Sequence, residues 1–238
     1  MARLADGVTL SIIIPTRNEA LRIVETLTQL QAFRARGAEL IVVDAMSEDH
    51  TAALASPLAD KVIASAAKGR ADQQNAGALA ARCDVYLFLH ADTSLPASAD
   101  ALIAEALSNP AHEWGHFCVQ LDSKKTTLRI TECLMNARSR FTQIATGDQA
   151  IFARREAFHA VGGFPALALM EDIGLSKRLR ARSRPAVIAA AVRTSARRWE
   201  TQGVWSTIAL MWWLRFAFFM GIPAAHLARQ YYPEDTAP

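Results

Sequence analysis

Short apolar segments alternate with longer, alanine-rich segments along the first half of the chain. Four runs rich in β-branched residues predict strands, at Val8 to Ile14, Leu40 to Asp44, Lys61 to Ser65 and Asp84 to His90. Between them, three segments have helical spacing and few helix breakers: Glu19 to Phe33, Gly69 to Ala81 and Ala97 to Leu107. This alternation predicts βαβ units, and therefore an α/β fold with a mostly parallel sheet flanked by helices.

The pattern becomes mixed after Asn109-Pro110. It predicts further elements on the same sheet: a strand at His116 to Leu121, a helix at Thr127 to Arg140, a polar turn at Thr146 to Asp148 and a strand at Ala186 to Val192. We therefore expect one domain over residues 1–200, with a first half up to about residue 110 and a second half over 111–200. Residues 201–238 form a separate C-terminal tail.

The tail contains an apolar segment, Gly203 to Ile222, which reads GVWSTIALMWWLRFAFFMGI. Its length is close to the ~20 residues that span a bilayer, but Arg215 lies inside it. Three interpretations stay open: a helix whose apolar face closes the core, a helix lying on a membrane surface, or a membrane span. The aromatic residues favour an interface.

Composition narrows the class of protein. The 238 residues carry a formal net charge of only +3, so no long-range field indicates a nucleic-acid partner. Cys83, Cys118 and Cys133 are odd in number and widely spaced, which favours a reducing cytoplasm over a disulfide or metal framework. The first residues lack the pattern of a secretory signal. We expect a cytoplasmic protein, in peripheral contact with the inner face of the membrane if its tail is interfacial.

Polar side chains follow three of the predicted strands, at Pro15 to Glu19, Asp44 to Asp49 and His90 to Thr93. The carboxyl ends of parallel strands meet at one crevice, where nucleotides bind in open sheets. Asp44 ends an apolar strand, where its carboxylate can accept hydrogen bonds from a base or a ribose. Three short side chains in these loops could instead cap the helices that follow. These residues are Asn18, Ser47 and Asp49.

Two further groups suit a diphosphate. Asp92 is placed to hold Mg²⁺ or Mn²⁺, and His90 is either a second ligand that favours Mn²⁺ or a buried histidine satisfied by hydrogen bonds. Lys68 and Arg70 flank a flexible glycine, so they either bind phosphate oxygens or are solvated surface charges.

Six motifs in order make the chain resemble family 2 glycosyltransferases over about Ser11 to Trp199. They read SIIIPTRNEA from Ser11, VVDAMSEDHT from Val42, KGRADQQNAGA from Lys68, FLHADT from Phe88, GDQAIFARREAFHAVGGFP from Gly147 and MEDIGLSKRLR from Met170. The resemblance is to small bacterial members, and it implies the GT-A fold and a nucleoside-diphosphate sugar as the donor substrate. The second half then contributes the acceptor side.

In the first half, the resemblance implies that Pro15, Arg17, Glu19 and Asp44 line the base and ribose pocket, with Arg70 reaching the nucleotide. Asp92 corresponds to the last carboxylate of the family's DxD motif, which binds a divalent metal. His90 replaces the first Asp of that motif, which leaves the identity of the metal open.

In the second half, Glu171-Asp172 resembles the family's ED pair, which implies that Asp172 is the general base of an inverting displacement. Glu171 is the second choice. Both acids also suit the dipole of a first helical turn. The resemblance places four residues near the acceptor, namely Gly147, Asp148, Gln149 and Gly163, although Gly162-Gly163 equally fits a purely structural turn.

The segment from Ser195 to Trp199 resembles the QxxRW motif of processive members, with serine in place of glutamine. Arg198 then contacts the departing diphosphate, while Trp199 stacks on a sugar or packs in the core. The missing glutamine argues against a polysaccharide synthase.

The leading hypothesis is an inverting, metal-assisted sugar transferase whose acceptor is a lipid, a small metabolite or a glycan. A nucleotidyltransferase is less consistent, because PTRNEA lacks the glycine-rich loop that such enzymes carry after the first strand. The alternative from another class is a non-catalytic nucleotide-sugar-binding scaffold, for which His90 is the best support.

Overall fold

A computed structural model describes residues 9–66 and 69–232, apart from the side chain of Arg198. Its strands form one mixed sheet in the order β3-β2-β1-β4-β7-β6-β8-β5. The strands are β1 (Leu10–Thr16), β2 (Glu39–Asp44), β3 (Lys61–Ala64), β4 (Val85–Phe88), β5 (Thr93–Ser94), β6 (Trp114–Asp122), β7 (Phe152–Arg154) and β8 (Ala186–Ser195).

The helices cover both faces of this sheet. They are α1 (Ala20–Ala35), α2 (Thr51–Ala55), α3 (Arg70–Ala80), α4 (Ala99–Ser108), α5 (Thr126–Thr142), α6 (Arg155–Ala160), α7 (Glu171–Arg180), α8 (Arg197–Thr201), α9 (Val204–Phe219) and α10 (Ala224–Tyr231). A 3₁₀ turn lies at Gly147–Gln149.

The apolar runs form strands because they are buried on both faces of the sheet. Ile12 and Ile14 on β1 point into a core shared with Leu27 of α1, whereas Ile13 points into the opposite core with Ala78 of α3. A strand sandwiched between two helical layers has no solvent-facing side, which explains its continuous apolar sequence. The predicted α/β fold is confirmed.

The two halves of the chain share this one sheet. Strands β3, β2, β1 and β4 are parallel, and β7 then pairs antiparallel with β4 and with β6. Strands β6 and β8 are again parallel, with an irregularity between Phe117 and Cys118. The second half therefore continues the sheet of the first half without a break.

The predicted elements are present, with shifts at their ends. The strand expected at Asp84 to His90 ends at Phe88, and a turn follows shortly after it, closed by Thr93 N donating to His90 O over 3.1 Å. Strand β1 continues to Thr16, where the chain is still paired with Asp44. Val8 lies outside the described residues. The short elements β5, β7, α6 and α8 were not predicted from the sequence.

The C-terminal helices pack on the start of α7. Leu214 and Ala217 of α9 and Leu227 of α10 share an apolar cluster with Met170 and Ile173. One face of α9 therefore closes a core, as the first interpretation of the tail expected. Over residues 9–66 and 69–232, no helix combines the length and apolar character needed to cross a membrane.

The opposite face of the tail exposes large apolar side chains. Trp212 is 71% exposed and Phe219 is 79% exposed. The other exposed members are Trp205, Trp213, Phe216 and Met220. We refer to these six residues as the aromatic face. This face has an unusual concentration of exposed apolar area for a protein surface.

Candidate functional site

The loops after β1 and β2 hold one another in place. Ser47 Oγ accepts a hydrogen bond from Asn18 N over 2.8 Å, and Asn18 Oδ1 accepts one from Glu48 N over 3.1 Å. Asp49 Oδ2 accepts one from Ala20 N over 2.9 Å. These bonds cross between the two loops, and the Asn18 side chain does not cap α1. The polar residues at these strand ends therefore shape the edge of the crevice.

Asp44 is buried at the end of β2, only 3% exposed. Its carboxylate accepts hydrogen bonds from Ser47 N over 2.8 Å and from Thr16 Oγ1 over 3.2 Å. These bonds order the loop that follows β2. The carboxylate has further lone pairs, so its expected contact with a base or ribose remains a prediction. Pro15 and Arg17 lie beside it, each half-buried.

Asp92 lies after β4 and has a half-exposed environment, with 30% of its side chain accessible. Arg22 Nη1 of α1 lies 3.8 Å from Asp92 Oδ2, and Thr93 Oγ1 lies 3.4 Å from Oδ1. Both are long contacts, which leave the carboxylate with accepting capacity. Burial raises the pKa of Glu19, and the nearby Asp92 carboxylate acts in the same direction. Glu19 and Asp92 are therefore close enough for their charges to interact.

His90 lies between Asp92 and the second half of the chain. Burial and the Arg70 guanidinium lower the pKa of His90 to about 4, against the opposing effect of Asp92. The imidazole is therefore neutral at neutral pH. A Cβ atom added to Gly147 would approach His90 Nε2 to 2.6 Å. Only a residue without a side chain fits there at the observed separation of the two segments.

Asp172, in the first turn of α7, faces the same glycine. Its Oδ2 accepts a hydrogen bond from Gly147 N over 2.8 Å, and its Oδ1 accepts one from Ile173 N over 2.7 Å. Burial raises the pKa of Asp172 to about 6, with the Glu171 carboxylate acting in the same direction. His90 and Asp172 therefore both lie against Gly147, where a segment of the first half of the chain approaches the second half.

Arg70 begins α3 at the mouth of this crevice. Its guanidinium carbon lies 6.0 Å from the centre of the Tyr232 ring, after α10. Glu171 and Asp92 also act on its charge. Tyr232 in the tail therefore lies near Arg70 of the first half of the chain, whose charge both carboxylates influence. Nothing in the sequence indicated that Tyr232 lies at this position.

The remaining predicted residues have more varied surroundings. Gln149 is fully buried, and its amide donates to Ser139 Oγ over 2.9 Å, so it fixes the 3₁₀ turn. Gly163 adopts a φ of +65° at a turn bonded to Asn75 of α3. Trp199 packs against Leu121 and its neighbours. These contacts match the structural alternatives for Gly163 and Trp199, and their roles towards an acceptor remain predictions.

The last two predicted residues are Lys68 and Arg198. Lys68 lies outside the described residues, and only the backbone of Arg198, in α8, is described.

Sequence reasoning missed a polar cleft of about 420 Å³ on the α1 side of Asp92. Arg22 and Thr26 of α1 form one wall, and Ser94 of β5 and Arg193 of β8 form the other. The helical spacing of α1 gave no sign of this cleft, because Arg22 reads as an ordinary surface cation. The opposite wall contains Arg193, a residue far away in the sequence that only the fold brings close to Arg22.

Comparison with known proteins identifies the family of the chain. The family model for glycosyl transferase family 2 matches residues 11–161, which is more than half of the chain. The chain belongs to glycosyl transferase family 2. Its sheet and flanking helices are the GT-A fold. Among curated proteins, none matches the sequence significantly.

Several solved structures of glycosyltransferases have a similar fold. Residues 1–349 of S. aureus TarS in complex with UDP match with a TM-score of 0.65 and 18% identity, covering 79% of this chain and 60% of that one. Mannosyl-3-phosphoglycerate synthase from Rubrobacter xylanophilus matches with a TM-score of 0.59 and 20% identity, covering 91% and 76%.

A third match is glucosyl-3-phosphoglycerate synthase from Mycobacterium tuberculosis in complex with Mn²⁺, UDP and glucosyl-3-phosphoglycerate. Its TM-score is 0.60 at 18% identity, covering 79% of this chain and 71% of that one. The family 2 chain described here thus spans about 60% of the TarS fragment. At these identities the likeness establishes the fold.

Proposed function

We propose that this family 2 protein is an inverting glycosyltransferase, which transfers a sugar from a nucleoside-diphosphate sugar to an acceptor hydroxyl. The supporting observation is that His90 and Asp172, from the two halves of the chain, both lie against Gly147. One crevice can therefore hold a diphosphate near His90 and Asp92 and an acceptor near Asp172. The residues up to about 110 then bind the sugar donor, and residues 111–200 bind the acceptor.

Asp172 acts as the general base. A carboxylate with a pKa of about 6 is ionised at neutral pH, yet basic enough to take a proton from a hydroxyl as it attacks. The acceptor oxygen forms a bond to the anomeric carbon while the bond from that carbon to the diphosphate oxygen breaks. The hydroxyl proton moves to Asp172, and the nucleoside diphosphate leaves. Because a single displacement occurs, the anomeric configuration inverts.

The sugar donor is held by the first half of the chain. Pro15, Arg17, Glu19 and Asp44 lie at the edge proposed for the base and ribose, where the crossed loop bonds give a preformed rim. Arg70 supplies positive charge to the diphosphate, and Lys68 and Arg198 are proposed to assist it.

A divalent metal fits the residues at Asp92. The Asp92 carboxylate has spare accepting capacity, and the neutral His90 imidazole offers a lone pair, a combination that favours Mn²⁺ over Mg²⁺. Within residues 9–66 and 69–232, no group of three or more candidate protein ligands is present. Diphosphate oxygens would therefore complete the coordination. Such an ion stabilises negative charge on the departing diphosphate.

We also propose that the aromatic face makes peripheral contact with a membrane. Tryptophan and phenylalanine side chains favour the boundary between water and lipid. The opposite face of α9 packs beside Met170, directly before Glu171. The protein would thus act on the cytoplasmic side of a membrane, consistent with three free cysteines.

The test of catalysis is nucleotide release from a panel of UDP-, GDP-, dTDP- and ADP-linked sugars, with and without Mn²⁺ and with a mixture of acceptors. We expect one donor to give metal-stimulated release that Asp172→Asn abolishes without loss of nucleotide binding. Binding of a sugar nucleotide without turnover under all of these conditions would instead favour a non-catalytic scaffold.

A further inference from the structure

The polar cleft on the α1 side of Asp92 has no part in the function proposed above. Its volume of about 420 Å³ lies within the range of about 300–1,000 Å³ that is usual for small-molecule sites. Of the side chains that line it in the described part of the chain, only that of Ala91 is apolar. The cleft therefore offers hydrogen-bond donors and acceptors but little apolar surface, so a ligand that fits it must itself be polar.

Each wall of the cleft carries charges of both signs. Arg22 and Glu25 of α1 lie on one wall, and Arg193 of β8 and Asp122 at the end of β6 lie on the other. The Arg193 guanidinium and the Asp122 carboxylate are exposed, and neither makes a hydrogen bond or an ion pair with the residues that the structure describes. Their polar atoms are therefore available to a ligand without loss of any internal bond.

Arg22 and Asp92 lie side by side without a hydrogen bond. Arg22 Nη1 is buried and has no hydrogen-bond partner among the described residues, since Asp92 Oδ2 lies 3.8 Å away. The rest of each group is accessible, with 28% of the Arg22 side chain and 30% of the Asp92 side chain exposed. A hydroxyl group in the cleft can accept from the accessible part of the guanidinium and donate to the carboxylate, because a hydroxyl does both.

The balance of charge favours an uncharged ligand. An anion would meet three carboxylates, those of Glu25, Asp92 and Asp122, and a cation would meet the guanidinium groups of Arg22 and Arg193. An alkyl chain would desolvate these groups without bonding to them, at a large cost. A sugar presents several neighbouring hydroxyl groups, which can pair with carboxylates and guanidinium groups on both walls. The lining of the cleft therefore fits a saccharide.

The cleft adjoins the crevice through Asp92. Ser195 N donates to Asp92 O over 3.2 Å, so the β8 wall is bonded to the segment that carries the proposed metal ligand. On the other wall, Arg22 lies one helical turn after Glu19, with Arg22 N donating to Glu19 O over 2.9 Å. The same segments thus border the crevice and the cleft, and a ligand in the crevice can extend past Asp92 into the cleft.

We propose that the cleft binds a sugar unit of the acceptor, next to the unit whose hydroxyl group reacts. The acceptor is then an oligosaccharide or another glycoside. This inference rests on the function proposed above and names the chemical class of the acceptor. The bound sugar is unchanged in the reaction, and its contacts with Arg22, Arg193 and Asp122 position the acceptor.

The first experiment measures binding of neutral disaccharides to the whole protein by saturation-transfer NMR. The probes are maltose, cellobiose, lactose, mannobiose and diacetylchitobiose, each with and without saturating UDP or GDP. We expect at least one to bind with a Kd on the order of 1 mM, because no aromatic ring lines the described cleft to add stacking.

Arg193→Met and Asp122→Ala should each weaken this binding at least about tenfold. Both side chains are exposed and unbonded among the described residues, so the fold should survive, as thermal unfolding will check. Arg193→Lys should recover part of the affinity. Arg182→Met, in an exposed ion pair with Glu113, is the matched control and should leave it unchanged.

Three results would overturn the proposal: no disaccharide bound by the wild type, equal affinity in the wild type and Arg193→Met, or binding of inorganic phosphate that depends on Arg193. The last result would make the cleft an anion site. If neither nucleotide binds, the function proposed above fails, while the titration without nucleotide still tests the cleft. The two failures are therefore distinguishable.

The second experiment compares the bound disaccharide with its constituent monosaccharide as acceptors, using the donor found by nucleotide release. In the wild type, kcat/KM for the disaccharide should be at least about tenfold higher. Arg193→Met should lose this preference while the KM for the donor stays unchanged. A raised KM for the donor alone would assign the cleft to the donor sugar and refute the inference. Without turnover, the binding titration decides.

Discussion

Replacement of Asp172 by asparagine should inactivate the enzyme and stabilise its fold at neutral pH. In the native protein the pKa of Asp172 is raised from 3.8 to about 6. The protonated form is thus favoured by folding, and the stabilisation it provides is lost as the pH rises through about 6. At about 1.4 kcal/mol for each pH unit, keeping the carboxylate ionised at pH 7 costs about 3 kcal/mol.

Asparagine removes this cost but also changes the hydrogen bonds. The carboxylate accepts from both Gly147 N and Ile173 N, and an amide has only one oxygen for the two donors. Losing one such bond costs about 1 kcal/mol. The variant should therefore gain about 2 kcal/mol over the wild type at pH 7 and none at pH 4.

Urea unfolding of both proteins at pH 4 and pH 7 measures this difference, with Glu105→Gln, an exposed position on α4, as a control. Transfer should fall about tenfold for each pH unit below 6 in the wild type. It should be absent in Asp172→Asn, which still binds the nucleotide. A stability difference independent of pH, or normal turnover by the variant, would refute the assignment of Asp172 as a buried base.

Three other substitutions test separate parts of the site. Asp92→Ala should weaken Mn²⁺-dependent nucleotide binding at least about tenfold, and an unchanged metal titration would show that the ion is held elsewhere. Gly147→Ala should displace the His90 ring, because the added Cβ would lie 2.6 Å from Nε2. We expect kcat to fall about tenfold, as measured by steady-state kinetics beside a titration of nucleotide affinity. Trp212→Ser with Phe219→Ser should reduce sedimentation with anionic vesicles at least about tenfold while activity in solution is retained; equal sedimentation would argue against the membrane contact.

The fold could be predicted from the sequence because the patterns of apolar residues that indicate its strands and helices are local. The runs at Ile12 and Val42 are apolar throughout, and only a strand buried on both faces needs that composition. The ends of strands were less certain: His90 follows a continuous apolar run, yet the chain already turns after Phe88. That turn is closed by a hydrogen bond from Thr93 N to His90 O, which the periodicity of apolar residues does not reveal.

Site residues could be predicted from the sequence only where they belong to a recognisable motif. Asp92 and Asp172 stand out as carboxylates at predicted strand and helix ends. Arg22 and Tyr232 do not, because a cation on an amphipathic helix and a tyrosine after the last helix have no distinctive pattern. Arg22 lies 3.8 Å from Asp92, and the Tyr232 ring lies near Arg70, because the fold brings distant segments together. Residues whose roles depend on long-range contacts need coordinates to be found.

The antiparallel pairing of β4 with β7 has a mechanical consequence. A continuous ladder of backbone hydrogen bonds joins the segments on either side of the crevice. Opening and closing by rotation of two rigid bodies would break that ladder. Substrate entry and product escape are therefore expected to rely on smaller rearrangements, in the helices that follow Gly203.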